Sequence, residues 1–107
     1  MDFDDYQALT KKTAVYPSDK ALEYLALGLA GEAGEVANKV KKILRGDQEL
    51  TQDVKNMISD ELGDCLWYIS ELSTKLETRL MMIAGRNIDK LLKRKVEGKI
   101  RGSGDDR

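Results

Sequence analysis

The clearest helical pattern of this chain runs through residues 22–43, LEYLALGLAGEAGEVANKVKKI. Their apolar side chains recur at spacings of three, four and seven, the periodicity of one face of an α-helix. The residues on that face are Leu22, Leu25, Leu29, Val36, Val40 and Ile43. Most of them fall within an arc of roughly 60° on a helical projection. The stretch predicts a helix that runs to about Arg45, with Ser18 or Asp19 as its N-cap and Gly46 as its stop.

Helical periodicity continues on both sides of this stretch. A first helix is predicted over about 3–13, a third from an N-cap at Thr51 to about Lys75, and a fourth over roughly 78–95. The apolar positions of the third and fourth helices are Val54, Ile58, Leu62, Cys65, Ile69, Leu72, Leu76, Leu80, Ile83, Ile88 and Leu91. The sequence shows no strand pattern and no internal repeat. It therefore predicts an all-α bundle of about four helices, forming one domain over 1–107 with a glycine-rich polar tail at 98–107.

Composition narrows the possible functions. The 107 residues carry 18 basic and 19 acidic side chains, a formal net charge of −1 that argues against general nucleic-acid binding. No apolar run is long enough for a membrane span, and the acidic N-terminus does not resemble a secretory signal. The single Cys65 fits a reducing cytoplasm. The chain has no histidine, which excludes histidine-based nucleophilic catalysis and imidazole-based zinc sites, so oxygen ligands and Mg²⁺-like ions remain.

Two acidic pairs occupy comparable places on the second and third helices. Glu32 and Glu35 stand three residues apart in the segment GEAGE, and Glu61 and Asp64 do so in DELGD. Each pair lies at the border of the apolar face of its helix, so both are expected near the contact between the two helices. Four carboxylates at such a contact repel one another, and a divalent cation removes that cost. The pattern predicts a site for Mg²⁺, with Mn²⁺ as a possible substitute.

Simpler interpretations of the same segments stay open. One acidic pair on a helix usually marks a solvated face, and Glu35 can pair with Lys39 at i+4 spacing. The neighbouring glycines are Gly28, Gly31, Gly34 and Gly63. They are expected to let a helix backbone or a nucleotide approach closely. A helix-packing groove would explain the glycines but not Glu32 and Glu61 at the border of a buried face.

The residues in these segments match a known pattern. GEAGEVANKVKK (31–42) followed by DELGDCLWYI (60–69) resembles the ExxE…ExxD signature of the MazG-like, all-α nucleoside triphosphate pyrophosphohydrolases. YQALTKKTAVYP (6–17) and NIDKLLKRKVEGKIRGSGDDR (87–107) resemble one small single-domain branch of these enzymes. The resemblance therefore covers nearly the whole chain.

The resemblance implies a reaction in which a nucleoside triphosphate and water give the monophosphate and pyrophosphate. It implies that Glu32, Glu35, Glu61 and Asp64 hold Mg²⁺, and that one of them also activates the attacking water, for which we favour Glu35. It also implies a homo-oligomer, either a dimer or a tetramer, with the active site near the subunit interface. Phosphoryl transfer needs mainly positioning and charge neutralisation, so a chain without histidine is competent for it.

Basic and amide side chains are candidates for the triphosphate. Asn87, Lys90 and Arg94 share one face of the fourth helix and match polar positions that recur in the family, although a solvated basic face is the alternative. Lys39 and Lys42 extend from the side of the second helix that carries the acidic pair. They are expected either to reach phosphate or to balance the carboxylates.

The tail and the aromatic residues complete the predicted site. The tail segment GSGD resembles a phosphate-binding loop, with Ser103 and the later Arg107 as donors; a frayed terminus is the alternative. Tyr68 follows Asp64 by four residues, so it is expected beside a nucleobase or sugar. Trp67 points away from Glu61 and is expected to serve in packing or in a subunit contact. Tyr16 and Tyr24 are possible pocket walls or core residues.

The sequence therefore predicts a cytoplasmic, oligomeric, Mg²⁺-dependent hydrolase of nucleoside triphosphates that controls nucleotide pools or removes noncanonical nucleotides. No nucleic-acid partner is expected, because the basic fourth helix lacks interleaved aromatic residues. One alternative is a non-catalytic helical interaction or regulatory module whose acidic clusters are surface features. Another is a nucleotide sensor that binds metal and nucleotide without turnover.

Overall fold

The computed structural model describes residues 1–98, and these form four α-helices joined by short connections. The helices are α1 (Phe3–Thr10), α2 (Ala21–Leu44), α3 (Gln52–Lys75) and α4 (Leu80–Val96), and single 3₁₀ turns occupy Lys11–Thr13 and Ser18–Lys20. No strand occurs within residues 1–98. The prediction of an all-α bundle of four helices is confirmed.

The helix starts show which local signals the chain uses. Asp2 caps α1 by accepting from the Asp5 N–H, and the Asp5 side chain accepts from the Asp2 N–H in return. Thr51 caps α3 as predicted, through its hydroxyl and the Val54 N–H. The predicted cap of α2 at Ser18 or Asp19 is wrong. Those residues form a 3₁₀ turn after Pro17, and α2 begins after it without a side-chain cap.

The second and third helices end in the same way. Gly46, with φ of +81°, follows α2, and its N–H donates to the Ile43 carbonyl at 3.0 Å. This is the left-handed C-terminal residue that favours glycine, so the predicted stop is confirmed. After α3 the corresponding position is Glu77, with φ of +56°. The chain thus accepts a strained residue at the turn that leads into α4.

Packing is built around the long pair α2 and α3, which make the most extensive helix contact in the described chain. α1 lies across α3 and α4. The Gln7 side chain fastens that contact, because its Oε1 accepts from the Leu80 N–H at 2.7 Å and its Nε2 donates to the Thr78 carbonyl at 3.0 Å. Asp4 and Arg79 add a surface ion pair at 2.6 Å.

The apolar core within residues 1–98 is small. Its buried hydrophobic residues are Ala21, Leu25, Val54 and Leu80. Several residues predicted for apolar faces are instead exposed in the single chain: Leu22, Val40, Leu62, Leu76, Ile83 and Ile88. The helices are therefore amphipathic as predicted, but one chain covers only part of their apolar surface.

Candidate active site

Three carboxylates meet where α2 faces α3. Glu32 of α2 and Glu61 and Asp64 of α3 each offer an oxygen atom, and these oxygens all lie within 4.8 Å of one another. Glu32 and Glu61 are half-buried, whereas Asp64 is exposed. We call these three residues the acidic cluster. Because Glu61 and Asp64 are three residues apart on α3, both lie on the side of α3 that faces α2.

Crowding in the acidic cluster changes the acidity of Glu32. A hydrogen bond shared with Glu61, followed by partial burial and the negative charges of Asp64, Glu61 and Glu35, raises the pKa of Glu32 above its ordinary value. Like charges this close favour retention of a proton. A group of carboxylates that repel one another in this way is suited to a cation.

The fourth predicted carboxylate stands apart from the acidic cluster. Glu35 has a side chain that is 55% exposed, and its Oε2 lies 4.0 Å from the Lys39 Nζ. The same Lys39 Nζ lies 3.5 Å from Glu61 Oε1, so it reaches from α2 across to α3. Lys39 therefore balances carboxylates in the structure, which is one of the two roles predicted for it.

A cleft of about 310 Å³ opens directly beside the acidic cluster. It is lined by Thr13, Glu32, Asp64, Trp67 and Tyr68. The prediction that Tyr68 lies beside the acidic residues agrees with this arrangement. Trp67 differs from its expectation, because it lines the cleft as well. The signal for it was present in the sequence, since Trp67 follows Asp64 by three residues and so comes one helical turn later.

Trp67 and Tyr68 form the aromatic wall of this cleft, and Tyr16 and Tyr24 pack next to this wall without lining the cleft. The Trp67 Nε1–H donates to the Thr13 hydroxyl at 2.8 Å, which fixes the orientation of the indole. Its ring meets Tyr68 edge-to-face at 5.1 Å and Tyr16 edge-to-face at 6.3 Å, and Tyr16 stacks on Tyr24 at 5.7 Å. Such offset and perpendicular pairs are favourable geometries for aromatic rings. The wall presents flat apolar surface of the kind that a nucleobase or sugar packs against.

Gly28 makes the position of Tyr68 possible. A Cβ atom at Gly28 would overlap the Tyr68 ring, so the ring of α3 packs directly on the backbone of α2. This is the close approach predicted for the glycines. Within residues 1–98, nothing lies within 4 Å of a Cβ placed at Gly31, Gly34 or Gly63. Packing inside one chain therefore explains only the first of the four glycines.

A different carboxylate, Glu71, lies in the interior of the protein. Its side chain is 1% exposed. Its Oε1 accepts from the Tyr16 hydroxyl and its Oε2 from the Thr10 hydroxyl, each at 2.7 Å, and Thr10 also contacts the Ser70 hydroxyl at 2.9 Å. The contact with Glu71 and burial raise the pKa of Tyr16 to about 12, burial being the larger cause. This hydrogen-bond network joins α1 to α3. It also holds Tyr16, whose ring contacts Trp67.

The other predicted substrate residues within residues 1–98 are not among those that line the cleft. Lys42 is exposed on α2. Asn87 and Lys90 are exposed on α4, whereas Arg94 is buried. α4 packs on α1 and α3, and none of its residues is among those that line the cleft in the described chain. Ser103 and Arg107 lie outside the described residues, as does nearly all of the predicted tail.

Comparisons with known proteins place this geometry in a class. The model of the MazG nucleotide pyrophosphohydrolase domain matches residues 20–97, which include the acidic cluster and the whole of α2, α3 and α4. The chain is also similar to the Gene 37 protein of Mycobacterium phage L5, with 46% identity over 114 aligned residues that cover all of both chains. No solved structure gives a significant match.

The all-α fold, with carboxylates facing each other across α2 and α3, agrees with this family match. The chain belongs to the MazG nucleotide pyrophosphohydrolase family. Enzymes of this family are generally hydrolases that act on phosphoric anhydrides of nucleotides and typically use a divalent metal. No helix among the described residues has the length and apolar character that crossing a membrane requires.

The donor chemistry of the acidic cluster fits such a metal. Glu32, Glu61 and Asp64 provide only carboxylate oxygens, which are the ligands that Mg²⁺ and Mn²⁺ prefer. The hydrogen bond with Glu61, partial burial and the nearby negative charges raise the pKa of Glu32, and a divalent cation would neutralise those charges. The residues present therefore suit the metal that the family implies.

Proposed function

We propose that this protein hydrolyses ribo- or deoxyribonucleoside triphosphates to the monophosphate and pyrophosphate, with Mg²⁺ as cofactor and Mn²⁺ as a possible substitute. The observation that carries the proposal is the convergence of three carboxylate oxygens within 4.8 Å beside a cleft lined by Trp67 and Tyr68. A triphosphate needs a polyvalent cation and its base needs a flat surface, and both requirements are met side by side.

Each part of the site has a proposed role. Glu32, Glu61 and Asp64 would hold the metal, with Glu35 as the remaining ligand of the family pattern. When bound, the metal supplies charge neutralisation for the triphosphate and acidifies a water molecule. Glu35 is the proposed general base, because its exposed carboxylate can accept a proton from water at the edge of the acidic cluster.

Binding of the nucleotide is assigned to the remaining residues. Trp67 and Tyr68 pack against the base or sugar and exclude water from one side of it. Lys39 and Lys42 are proposed phosphate contacts on α2. The family resemblance proposes the same role for Asn87, Lys90, Arg94, Ser103 and Arg107. Since no α4 residue lines the cleft within one described chain, the α4 residues would act after docking of a second subunit or after rearrangement.

A homo-oligomer, either a dimer or a tetramer, is part of the proposal. The support is the apolar surface that one chain leaves uncovered, for example Leu27 at 73%, Leu44 at 86% and Leu92 at 57% exposure. These exposed apolar side chains, on α2 and α4, favour burial against another copy. Light scattering of the purified protein measures the number of subunits, and a strictly monomeric protein would contradict this part.

The proposed physiological role is control of nucleotide pools or removal of noncanonical nucleotides in the cytoplasm. It follows from the reaction, because conversion of a triphosphate to a monophosphate removes it from polymerisation. Neither membrane nor nucleic acid is required by this role.

The test is hydrolysis of a panel of nucleoside and deoxynucleoside triphosphates with Mg²⁺ or Mn²⁺, resolving pyrophosphate from orthophosphate. We expect pyrophosphate release that falls at least about a hundredfold in Glu35→Gln and Glu61→Gln. Asp60→Asn is the control, because Asp60 is an exposed carboxylate on α3 outside the acidic cluster. Absence of turnover with either metal would contradict the proposal. Nucleotide binding without turnover would then favour a sensor, and no binding would favour an interaction module.

A further inference from the structure

The Lys39 ammonium lies between one carboxylate of α2 and one carboxylate of α3. Its Nζ lies 3.5 Å from Glu61 Oε1 and 4.0 Å from Glu35 Oε2, and its side chain is only 20% exposed. The long apolar stem is thus largely covered while the charge reaches the edge of the acidic cluster. Lys39 begins on the same helix as Glu35, one turn later, and crosses to a carboxylate of the other helix.

Glu61 takes part in two different interactions in this arrangement. It belongs to the acidic cluster with Glu32 and Asp64, and it also pairs with Lys39. A lysine ammonium and a divalent cation on the same carboxylate repel each other, and each reduces the charge available to the other. The partial burial of Glu61 and Lys39 limits the screening that water would otherwise provide.

We propose that Lys39 is a resident counter-ion of the acidic cluster, which competes with the divalent cation for Glu61 and Glu35. The inference rests on the proposed function in that the acidic cluster must bind metal. Lys39 lowers the repulsion among the carboxylates and so keeps them assembled, but it weakens metal affinity. With a divalent cation bound, Lys39 would release Glu61 and Glu35, and its ammonium would be available to the triphosphate. Binding of metal and binding of nucleotide are thereby coupled through one side chain.

The opposite role for Lys39 predicts the opposite sign. If Lys39 merely held Glu35 and Glu61 in the geometry that metal requires, its removal would weaken metal binding. If Lys39 competes, its removal strengthens metal binding. The two roles are therefore separated by the direction of one measured change.

The experiment titrates the full chain with Mn²⁺ alone, without nucleotide, and follows free Mn²⁺ by electron paramagnetic resonance. We expect Lys39→Met to bind Mn²⁺ more tightly by on the order of tenfold, the effect of removing a nearby unit charge from a partly screened site. Lys39→Gln is the second variant, and Lys39→Arg should bind within about twofold of wild type because it keeps the charge. Lys41→Met removes an exposed charge from the same helix and controls for net charge.

The melting temperature gives a second readout. Lys39→Met should melt below wild type in the presence of a chelator, and Mn²⁺ should raise its melting temperature by more than that of wild type. Tighter binding in Lys39→Met and Lys39→Gln, but not in Lys41→Met, supports the competition. Binding that is unchanged or weaker in the two Lys39 variants overturns it while the metal site stands. A wild-type protein that binds no Mn²⁺ overturns the metal site and the proposed function themselves.

Discussion

Glu61 and Glu71 lie on the same helix in opposite surroundings. Glu71 is buried, and hydroxyl groups from Thr10 and Tyr16 donate to both of its oxygens at 2.7 Å. Glu61 is half-buried beside Glu32 and Asp64, and its Oε1 lies 3.5 Å from the Lys39 ammonium. Glu71 thus has two hydroxyl donors on its oxygens, whereas Glu61 has two carboxylates and one ammonium beside it.

This difference separates a structural carboxylate from a functional one. Burial of a charge is tolerated where hydrogen bonds satisfy it, so Glu71 contributes to the docking of α1 on α3. The acidic cluster instead holds like charges together, and the hydrogen bond with Glu61, partial burial and the neighbouring carboxylates raise the pKa of Glu32. Such an arrangement persists where a ligand needs it.

The largest expected effect is a loss of stability when the buried carboxylate of Glu71 is removed. Glu71→Ala should lower the free energy of unfolding by about 3 kcal/mol, because it leaves a cavity and removes the carboxylate acceptor of the buried Thr10 and half-buried Tyr16 hydroxyl groups. Asp64→Ala, the matched control on α3, should stay within about 0.5 kcal/mol of wild type. Urea unfolding in the presence of a chelator measures both. An equal loss of stability in Asp64→Ala would mean that the acidic cluster is structural too.

The next largest effect is the difference in stability between alanine substitutions at two glycines of α2. Gly34→Ala should stabilise the protein by about 1 kcal/mol through helix propensity, since a Cβ there meets open space. Gly28→Ala should be less stable than Gly34→Ala by about 1–2 kcal/mol, because its Cβ overlaps Tyr68. Thermal unfolding gives the stabilities, and near-ultraviolet circular dichroism reports the displaced ring. Equal stabilisation by the two variants would show that Tyr68 moves aside without cost.

The smallest effect concerns the Tyr16 hydroxyl that donates to Glu71. Tyr16→Phe should lose about 1 kcal/mol of stability near neutral pH, the contribution of that hydrogen bond. Since burial and Glu71 raise the pKa of Tyr16 to about 12, the unfolded chain loses this proton near pH 10 while the folded chain keeps it. The contribution is therefore complete below pH 10 and is lost as the pH rises toward 12.

Wild type and Tyr16→Phe should accordingly converge in stability between pH 10 and pH 12. Urea unfolding at a series of alkaline pH values checks this, and the other tyrosines cancel in the difference because both proteins contain them. A constant gap across this range would show that Glu71 does not hold the Tyr16 proton.

Much of the fold follows from local signals. The stripe of residues 22–43 and the Thr51 cap place α2 and the start of α3, because these features depend on neighbours within one or two turns. The predicted cap of α2 failed because Ser18 and Asp19 form a 3₁₀ turn after Pro17, so neither residue stands at the start of the α-helix.

The site was predictable in its carboxylates and less so in its surroundings. The i, i+3 spacing of Glu61 and Asp64 fixes their common side, so their meeting with Glu32 followed from amphipathic packing. The burial of Glu71 did not, because it depends on where α1 crosses α3, and that crossing is set by tertiary contacts such as Thr10 with Ser70. The contact of Lys39 with Glu61 on the other helix also depends on tertiary packing. The sequence therefore left two roles for Lys39 open, contact with phosphate and balance of the carboxylates.

The position of Trp67 has a practical consequence. It is the one tryptophan in the sequence, it lines the cleft beside Glu32 and Asp64, and its indole N–H is fixed on Thr13. Fluorescence excited at the red edge of the protein absorption band therefore originates at this single point of the molecule. Arrival of a charged or aromatic ligand changes the polarity and stacking around that indole. The chain carries its own optical reporter, and occupancy of the cleft can be followed without a label.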